Sequence, residues 1–523
     1  MKNFRNLLIC LMAFTLVCGT VLTASADVPY YSYNYSFEGT KSDSPAGYLP
    51  TKVVTGHDIG SGHFKNPNDI FVDVYKNIYV VDTDNKRIVV MDKDFNLIRV
   101  IDKFTNPDGT PYDMFMPMGV FVTPEGEYYI ANRDRIDPAT GGVHVDGGEV
   151  VVCDENGVIS RTYAKPETPY LGETRTFQPK KVVVDSQDVI YALSDNINEG
   201  IVSVDQDNKF LGFFGSEKVS MTAAQLADYY WRKWFLNDEQ IKQLVSFQPT
   251  EYSNMYIDGK DFVYTSNAYE EMTTAQIKRL NPNGANVLDS IKFGDLKETR
   301  DADDKVVKQS FIDVTADTDG FFFCLDKNVG RIYVYNQDSE LLMIFGDIGT
   351  KVGTFKNPIA IENIDGKIMV LDKEKQNITI FTLTTYGEAL RDGVKKYQKG
   401  LYQEALEPWE QVRDMNANFE DAYTGIGKAE MLLASTLDND DDSKTLYLSS
   451  MDNFHLANDR ENYSESKKEV RTITLRENFT LIVIAIIALF VLVKLYGMFK
   501  TQVNSAVVKF FTGIINKIKK EGN

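Results

Sequence analysis

The only imidazoles in the 523-residue chain are His57, His63, His144 and His455. Three histidines brought to one place could hold a divalent metal and activate water. The spacing of His57, His63 and His144 matches no ligand motif, so neither a metal nor any other cofactor is expected. No G-x-S-x-G elbow, phosphate loop or Cys-x-x-Cys occurs. The DTDN run at Asp82 opens like a calcium loop but lacks the glycine and the closing glutamate. The chain therefore reads as a binding protein rather than an enzyme, with a metal-dependent propeller hydrolase or lyase using those histidines as the alternative.

A binding site needs side chains presented together, and the sequence repeats itself in a way that presents them. FKNPNDIFVD at Phe64 returns as FKNPIAIEN at Phe355, and related units begin at Phe115, Phe177, Phe247 and Phe311. Each unit carries short runs rich in Val, Ile and Tyr, separated by tight polar turns, which predicts four short antiparallel strands per unit. Six such units predict a six-bladed β-propeller over 45–385, mainly β, whose sheets bury both faces against their neighbours. The last unit runs out of strand near Phe381. LPTKVVTG (49–56), ahead of the first unit, is expected to complete it and close the ring.

Turns within the first and third hairpins of every unit are short. The long segments, Arg133 to Gly148, Ser216 to Ser246, Tyr269 to Gln276 and Asp295 to Ser310, fall on the other two connections, which share one face. Loops held on a rigid scaffold are where binding usually resides. That face carries the candidate ligand-binding residues Arg133, Asp134, His144, Asp195, Asn196, Trp231, Trp234, Asn267, Tyr269, Lys327 and Lys373, with no catalytic residue assigned. Two capping-box patterns predict a helical hairpin within 216–247, in which Trp231 and Trp234 either stack on a ligand or pack the hairpin onto the blades.

The ends are of another kind. Residues 1–26 have the charged start, apolar run and Ala-Ser-Ala ending of a signal peptide, and 27–44 reads as a linker. From Tyr386 the period becomes helical. A run of about 20 apolar residues within 478–499 is long enough to cross a membrane, and a basic amphipathic tail (500–523) follows. The whole chain carries a net −19; the tail from Lys494 contributes +5 and the first 26 residues +2, leaving −26 on 27–493. So acidic a domain is a poor partner for nucleic acid. Lysines beyond the span predict a cytoplasmic C-terminus, hence a single-pass cell-membrane protein with its propeller outside. Cys153 and Cys324 are too few for a disulfide framework.

Two resemblances follow from these residues. Pro67, then Ile-Phe-Val-Asp and Ile-Tyr-Val-Val-Asp-x-x-Asn-x-Arg-Ile up to Ile88, resembles the NHL repeat. Gly400-Leu-Tyr402-x-Glu404-Ala405, Trp409, Asn416 and Ala422-Tyr423-x-Gly425 resemble the tetratricopeptide repeat over 386–476. Its second repeat is expected to be interrupted by an acidic loop, LDNDDDSKT (437–445), resuming near Leu446. The combination is similar to membrane-anchored surface proteins of Gram-positive bacteria whose genes often lie near carbohydrate ABC-transporter components. It implies a scaffold that binds a protein or glycan, with a membrane transporter component met through neck, span or tail.

Overall fold

The computed structural model describes residues 28–137, 139–168, 171, 175–216, 252–268, 276–289, 291–300 and 303–521. Residues 1–26, Trp231, Trp234 and Tyr269, and the hairpin expected within 216–247, lie outside these, apart from Ser216.

Six antiparallel blade sheets, with three small two-stranded sheets, lie in the first unit of the chain. Blade 1 is Asp69–Val72, Ile78–Asp82, Arg87–Met91 and Leu97–Ile101; blade 2 begins with Pro117–Val122, blade 3 with Gln178–Val184, blade 4 with Asn254–Ile257 and blade 5 with Phe311–Ala316. In blade 6, Pro358–Ile364, Lys367–Asp372 and Asn377–Leu383 are completed by Tyr48–Thr55, which pairs with Asn377–Leu383 from Thr55↔Asn377 to Tyr48↔Leu383. The expected closure by 49–56 is thus present. The six inner strands neighbour one another in sequence order and the last meets the first, so the ring is closed and its ends are clamped by one sheet.

Burial follows from the letters. Second and third strands such as Ile78–Asp82 and Glu149–Cys153 are buried throughout because both sheet faces are covered. Apolar side chains of adjacent blades pool between them: Ile70, Val80 and Val89 of blade 1 meet Ile364, Met369 and Leu371 of blade 6. Burying such side chains contributes about 1.5–3 kcal/mol each.

The tight turns share one device. Asp73, Asp185, Asp258 and Asp317 each open a hairpin, and one carboxylate oxygen accepts the backbone N–H four residues on at 2.7–3.0 Å. The residue just before that N–H is left-handed: Lys76, Asp188, Asp261 and Gly320. An aspartate at the first turn position therefore sets the register of blades 1, 3, 4 and 5, while Thr123 holds that place in blade 2.

Three expectations need correction. Among the described residues blade 4 has three strands, not four: after Ile277–Leu280 the Asn286 side chain accepts Arg279 N–H at 3.1 Å, the place a fourth strand's carbonyl would take, and turns back on its own chain to accept Leu288 N–H at 3.2 Å. Residues 27–44 do not act as a mere linker. Tyr33–Tyr35 pairs with Lys41–Asp43, and Tyr33 is buried among Tyr264, Phe293 and Phe311. Tyr33 and Tyr35 hydroxyls both donate to Asp295, which also takes bonds from Thr299 at 2.6 Å and Arg331 at 2.5 Å. Burial alone would raise the Asp295 carboxyl, but Arg331, those hydroxyls and Lys41 outweigh it and hold it below the ordinary carboxylate value.

The third correction lies among the helices: α1 (Thr385–Gln398), α2 (Tyr402–Met415), α3 (Glu420–Thr436), α4 (Asp440–Leu456), α5 (Arg460–Glu477) and α6 (Phe479–Glu521). The start of α1 belongs with the propeller, where Arg391 bonds Asp317 and Tyr48 and Lys395 pairs with Asp319 at 2.8 Å. The acidic run is not a loop. Asn439 caps α4 by accepting Asp441 N–H at 3.0 Å, and Asp440, Asp441 and Asp442 form its first turn, where negative charge offsets the helix dipole. Small residues mark close contacts: a Cβ at Gly425 would fall 2.5 Å from the Trp409 ring, and one at Gly427 2.8 Å from Phe454. Within α6, Phe479–Met498 has a mean hydropathy of 2.7 over its most apolar window, long and apolar enough to cross a membrane. The helix continues without a break to Glu521.

Candidate functional site

The inner strand of each blade starts at the long-loop face, and one position at the end of the second strand caps it. Asp82 accepts Lys65 N–H at 2.6 Å, Asn132 accepts Met116 N–H at 2.8 Å, Ser194 accepts Gln178 N–H at 2.8 Å, and Asp372 accepts Lys356 and Asn357 N–H at 2.7 and 3.2 Å. Asp326 holds the same place in blade 5; burial pushes its carboxyl up to about 6 against the backbone N–H groups it accepts. These caps satisfy strand ends that enter the ring from loops.

The next residue along is Thr83, Arg133, Asp195, Ala268, Lys327 and Lys373 in blades 1 to 6, Asn267 itself standing at the cap position of blade 4. Register therefore brings four of the expected binding residues, Arg133, Asp195, Lys327 and Lys373, to one equivalent position. Side chains here reach the following blade. Thr83 donates to Pro117 O at 2.7 Å, Arg133 pairs with Asp195 at 2.9 Å, and Lys373 donates to Asn68 Oδ1 at 2.8 Å.

The charges around this mouth are uneven. On blades 2 and 3, Arg133 also pairs with Asp134 at 2.9 Å and Lys180 with Asp195 at 3.1 Å, so the cations are matched. Burial would raise Asp195, but Lys180 and Arg133 hold it low. On blades 5 and 6, neither Lys327 nor Lys373 lies within ion-pair distance of a carboxylate among the described residues. Burial, and then the Lys327 charge beside it, push the Lys373 ammonium below its ordinary value, Asp84 opposing weakly.

The remaining expected residues divide. Asp134 and Asn267 are buried and serve structure; Asp134 also accepts from Gln178 at 2.8 Å. Asn196 sits in a left-handed turn and donates to Gln178 Oε1 at 2.9 Å. His144 contacts Arg135 and accepts Asp146 N–H at 3.2 Å, whereas His57 and His63 stack with ring centroids 5.4 Å apart, ahead of blade 1. Among the described residues no three His, Cys, Asp or Glu side chains gather as a metal site. The three histidines are not brought together.

A second constellation, on the ring axis, escaped sequence reasoning. Lys181 bonds Asp69 at 2.6 and 2.8 Å, and Asp69 also accepts Val120 N–H at 3.0 Å. Asp313 accepts Ile361 N–H at 2.7 Å. Gly119 makes room for this, since a Cβ there would come within 2.6 Å of Lys180 O and 3.3 Å of Lys181 Cδ. Asp69, Gly119, Lys181, Asn254, Asp313 and Ala360 are equivalent positions. Charged residues where neighbouring units carry Gly or Ala were the available signal. Glu362, two residues beyond Ala360, is buried too; burial pushes its carboxyl up to about 7, and burial raises Asp313 well above the carboxylate range.

The fold and mouth define the class: a six-bladed β-propeller followed by a helical region with one apolar helix able to span a membrane. No family model matches the chain, and no curated protein matches its sequence. Among solved structures it is similar to virginiamycin B lyase from Staphylococcus aureus, at 11% identity over 64% of this chain and 99% of that one, TM-score 0.38. The aldose sugar dehydrogenase of Streptomyces coelicolor in its PQQ-bound form shows 9% identity, 65% and 100% coverage and a TM-score of 0.36. Regucalcin, a calcium-binding protein of Agrobacterium tumefaciens, shows 10%, 60% and 89%, and 0.34. The propeller assignment itself rests on the strand order above, and no activity passes to this chain from those proteins.

Proposed function

We propose that the protein is a membrane-anchored, non-enzymatic binding or scaffold protein whose long-loop face captures an anionic group of a protein or glycan ligand. The observation that carries this reading is the pair Lys327 and Lys373, adjacent at the mouth and, among the described residues, without carboxylate partners in a chain of net charge −19. Two ammonium groups held half-buried without a counter-ion are short of negative charge, which an incoming carboxylate, sulfate or phosphate supplies. The same face carries the long connections, and Arg133 with Asp195 adds matched polar groups for orientation.

The span within Phe479–Met498 anchors the protein, with the propeller outside the cell and the lysine-bearing end inside. The NHL-like and tetratricopeptide-like patterns support a surface scaffold, and a transporter component is the membrane partner we propose for the neck or tail.

The test is binding of the purified full chain to panels of acidic and neutral glycans, alongside chemical cross-linking in intact membranes with mass spectrometry. Retention of acidic glycans, or a specific cross-linked protein, lost on joint Lys327→Gln and Lys373→Gln substitution, is the expected result. Binding that survives the double substitution, or none of either kind, contradicts it.

A further inference from the structure

The axis of the ring has a second opening. Beyond Asp69, Lys181 and Asp313, toward the short-turn face, a cavity of about 10 Å³, roughly the room of one water molecule, is flanked by Phe71, Phe121, Tyr256, Ile257, Ile361 and Glu362. The Phe71 and Phe121 rings lie 5.2 Å apart, and both, with Tyr256 and Ile257, are only partly buried, so the cup opens outward from a buried base. Its wall is apolar and aromatic, and its base is charged.

The charge at that base does not balance. Lys181 bonds both oxygens of Asp69 and leaves Asp313 and Glu362 without a cation in contact. Asp313 turns both oxygens to backbone, accepting Val314 and Ile361 N–H. Glu362 is 4% exposed, and its Oε1 takes every bond it has: Thr315 Oγ1 at 2.7 Å, Asn363 N–H at 2.9 Å and Asn363 Nδ2 at 3.5 Å. Among the described residues nothing donates to Oε2. The inner strands of all six blades face this base. They contribute Asp69, Lys181, Asp313, Glu362 and the neutral phenol of Tyr256, while blade 2 gives Phe121 and Gly119 and no titratable group. Three carboxyls share one ammonium.

We propose that this cup is a binding site for the ammonium head of a small alkylamine, with the ammonium on Glu362 Oε2 and its short stem against Phe71, Phe121 and Ile257. An ammonium group matches the size of the cavity, supplies the missing positive charge and donor, and is attracted by aromatic rings. A neutral alcohol would leave the charge deficit in place, and a carboxylate would deepen it. The site is at the opposite end of the axis from Lys327 and Lys373, so it is independent of the function proposed above.

A proton competes for the same oxygen, which fixes the pH dependence. With the Glu362 carboxyl near 7, the ionised form that accepts an ammonium rises about tenfold between pH 6 and pH 8, while an alkylamine stays protonated throughout.

The experiment uses the full chain in an uncharged maltoside detergent, titrated with propylammonium chloride and followed by saturation-transfer NMR, with 1-propanol and propionate as shape-matched controls. Saturable binding of propylammonium alone is expected, about tenfold tighter at pH 8 than at pH 6. Glu362→Gln, whose amide oxygen can still accept from Thr315 and Asn363, should weaken it at least tenfold. Phe71→Leu keeps the carboxylate and should weaken it several-fold, and Lys327→Gln should not change it. A folded protein that does not bind propylammonium at pH 8, or binds it equally after Glu362→Gln or Phe71→Leu, overturns the assignment.

Discussion

The same six inner strands present opposite electrostatic problems at their two ends. At the long-loop mouth the backbone is capped at strand ends, and the unmatched charge is positive: among the described residues Lys327 and Lys373 pair with no carboxylate. Toward the short-turn end the surplus is negative, with Asp69, Asp313 and Glu362 around a single Lys181. The mouth lysines are half-buried, whereas the axial base is fully buried and must take up protons or a cation. A ring of repeats thus keeps its strand register while individual positions are specialised in charge.

Opening the ring should erase both ends at once. Removing residues 45–56 strips Tyr48–Thr55 from blade 6, and the melting temperature should fall by about 10 °C or more, as read by calorimetry. An unchanged transition would mean that blade 6 closes without it.

Lys181→Met separates the ends. It leaves Asp69 buried without its ammonium, which costs about 3–5 kcal/mol, while ligand capture at the mouth should persist in whatever fraction stays folded. Chemical denaturation of the variant measures the first and glycan or partner binding the second. Equal loss of both would show that the mouth depends on the axial charges.

Glu362→Gln should act with the opposite sign. A carboxyl raised on folding contributes stability below its unfolded value near 4.5, and loses it as pH climbs to about 7. Replacing it should therefore stabilise the protein at pH 8, by about 3 kcal/mol at most, and leave pH 4.5 nearly unchanged. Asp295 runs the other way. Its carboxyl is depressed, so its contribution is present at neutral pH and disappears as pH falls through the folded-state value. Tyr33→Phe, which removes one donor to Asp295, should cost about 1 kcal/mol at pH 7 and less in acid. Denaturation midpoints against pH check both.

How much of this was readable in the letters depends on distance along the chain. The blades, the turn aspartates and the closing strand are local patterns, or copies of one, and aligning the units on Phe64 and Phe355 exposes them. The same alignment places Arg133, Asp195, Lys327 and Lys373 at one position, with Asn267 one residue earlier. The partners of those side chains are another matter. That Arg133 is neutralised while Lys373 donates to Asn68 depends on which blade follows which, and on rotamers no repeat dictates. Lys181 finds Asp69 across the ring, 112 residues away. The tyrosine-rich hairpin from Tyr33 lacks the blade pattern entirely, because it packs on the propeller from outside the repeat. Residues 437–445 look like a loop by composition, whereas Asp440, Asp441 and Asp442 form the first turn of a helix.

The smallest effect on stability should accompany the largest effect on function. Lys327→Gln with Lys373→Gln breaks no ion pair among the described residues, so unfolding should shift by less than about 0.5 kcal/mol. The most direct measurement places a photo-reactive side chain at Glu374, exposed beside Lys373, and separately at Tyr75, exposed on the short-turn face, and illuminates intact membranes. A discrete protein or glycan adduct at position 374, lost in the double lysine variant and missing at position 75, is what a binding mouth predicts. Adducts of equal yield at both positions, or ones indifferent to the lysines, would contradict it.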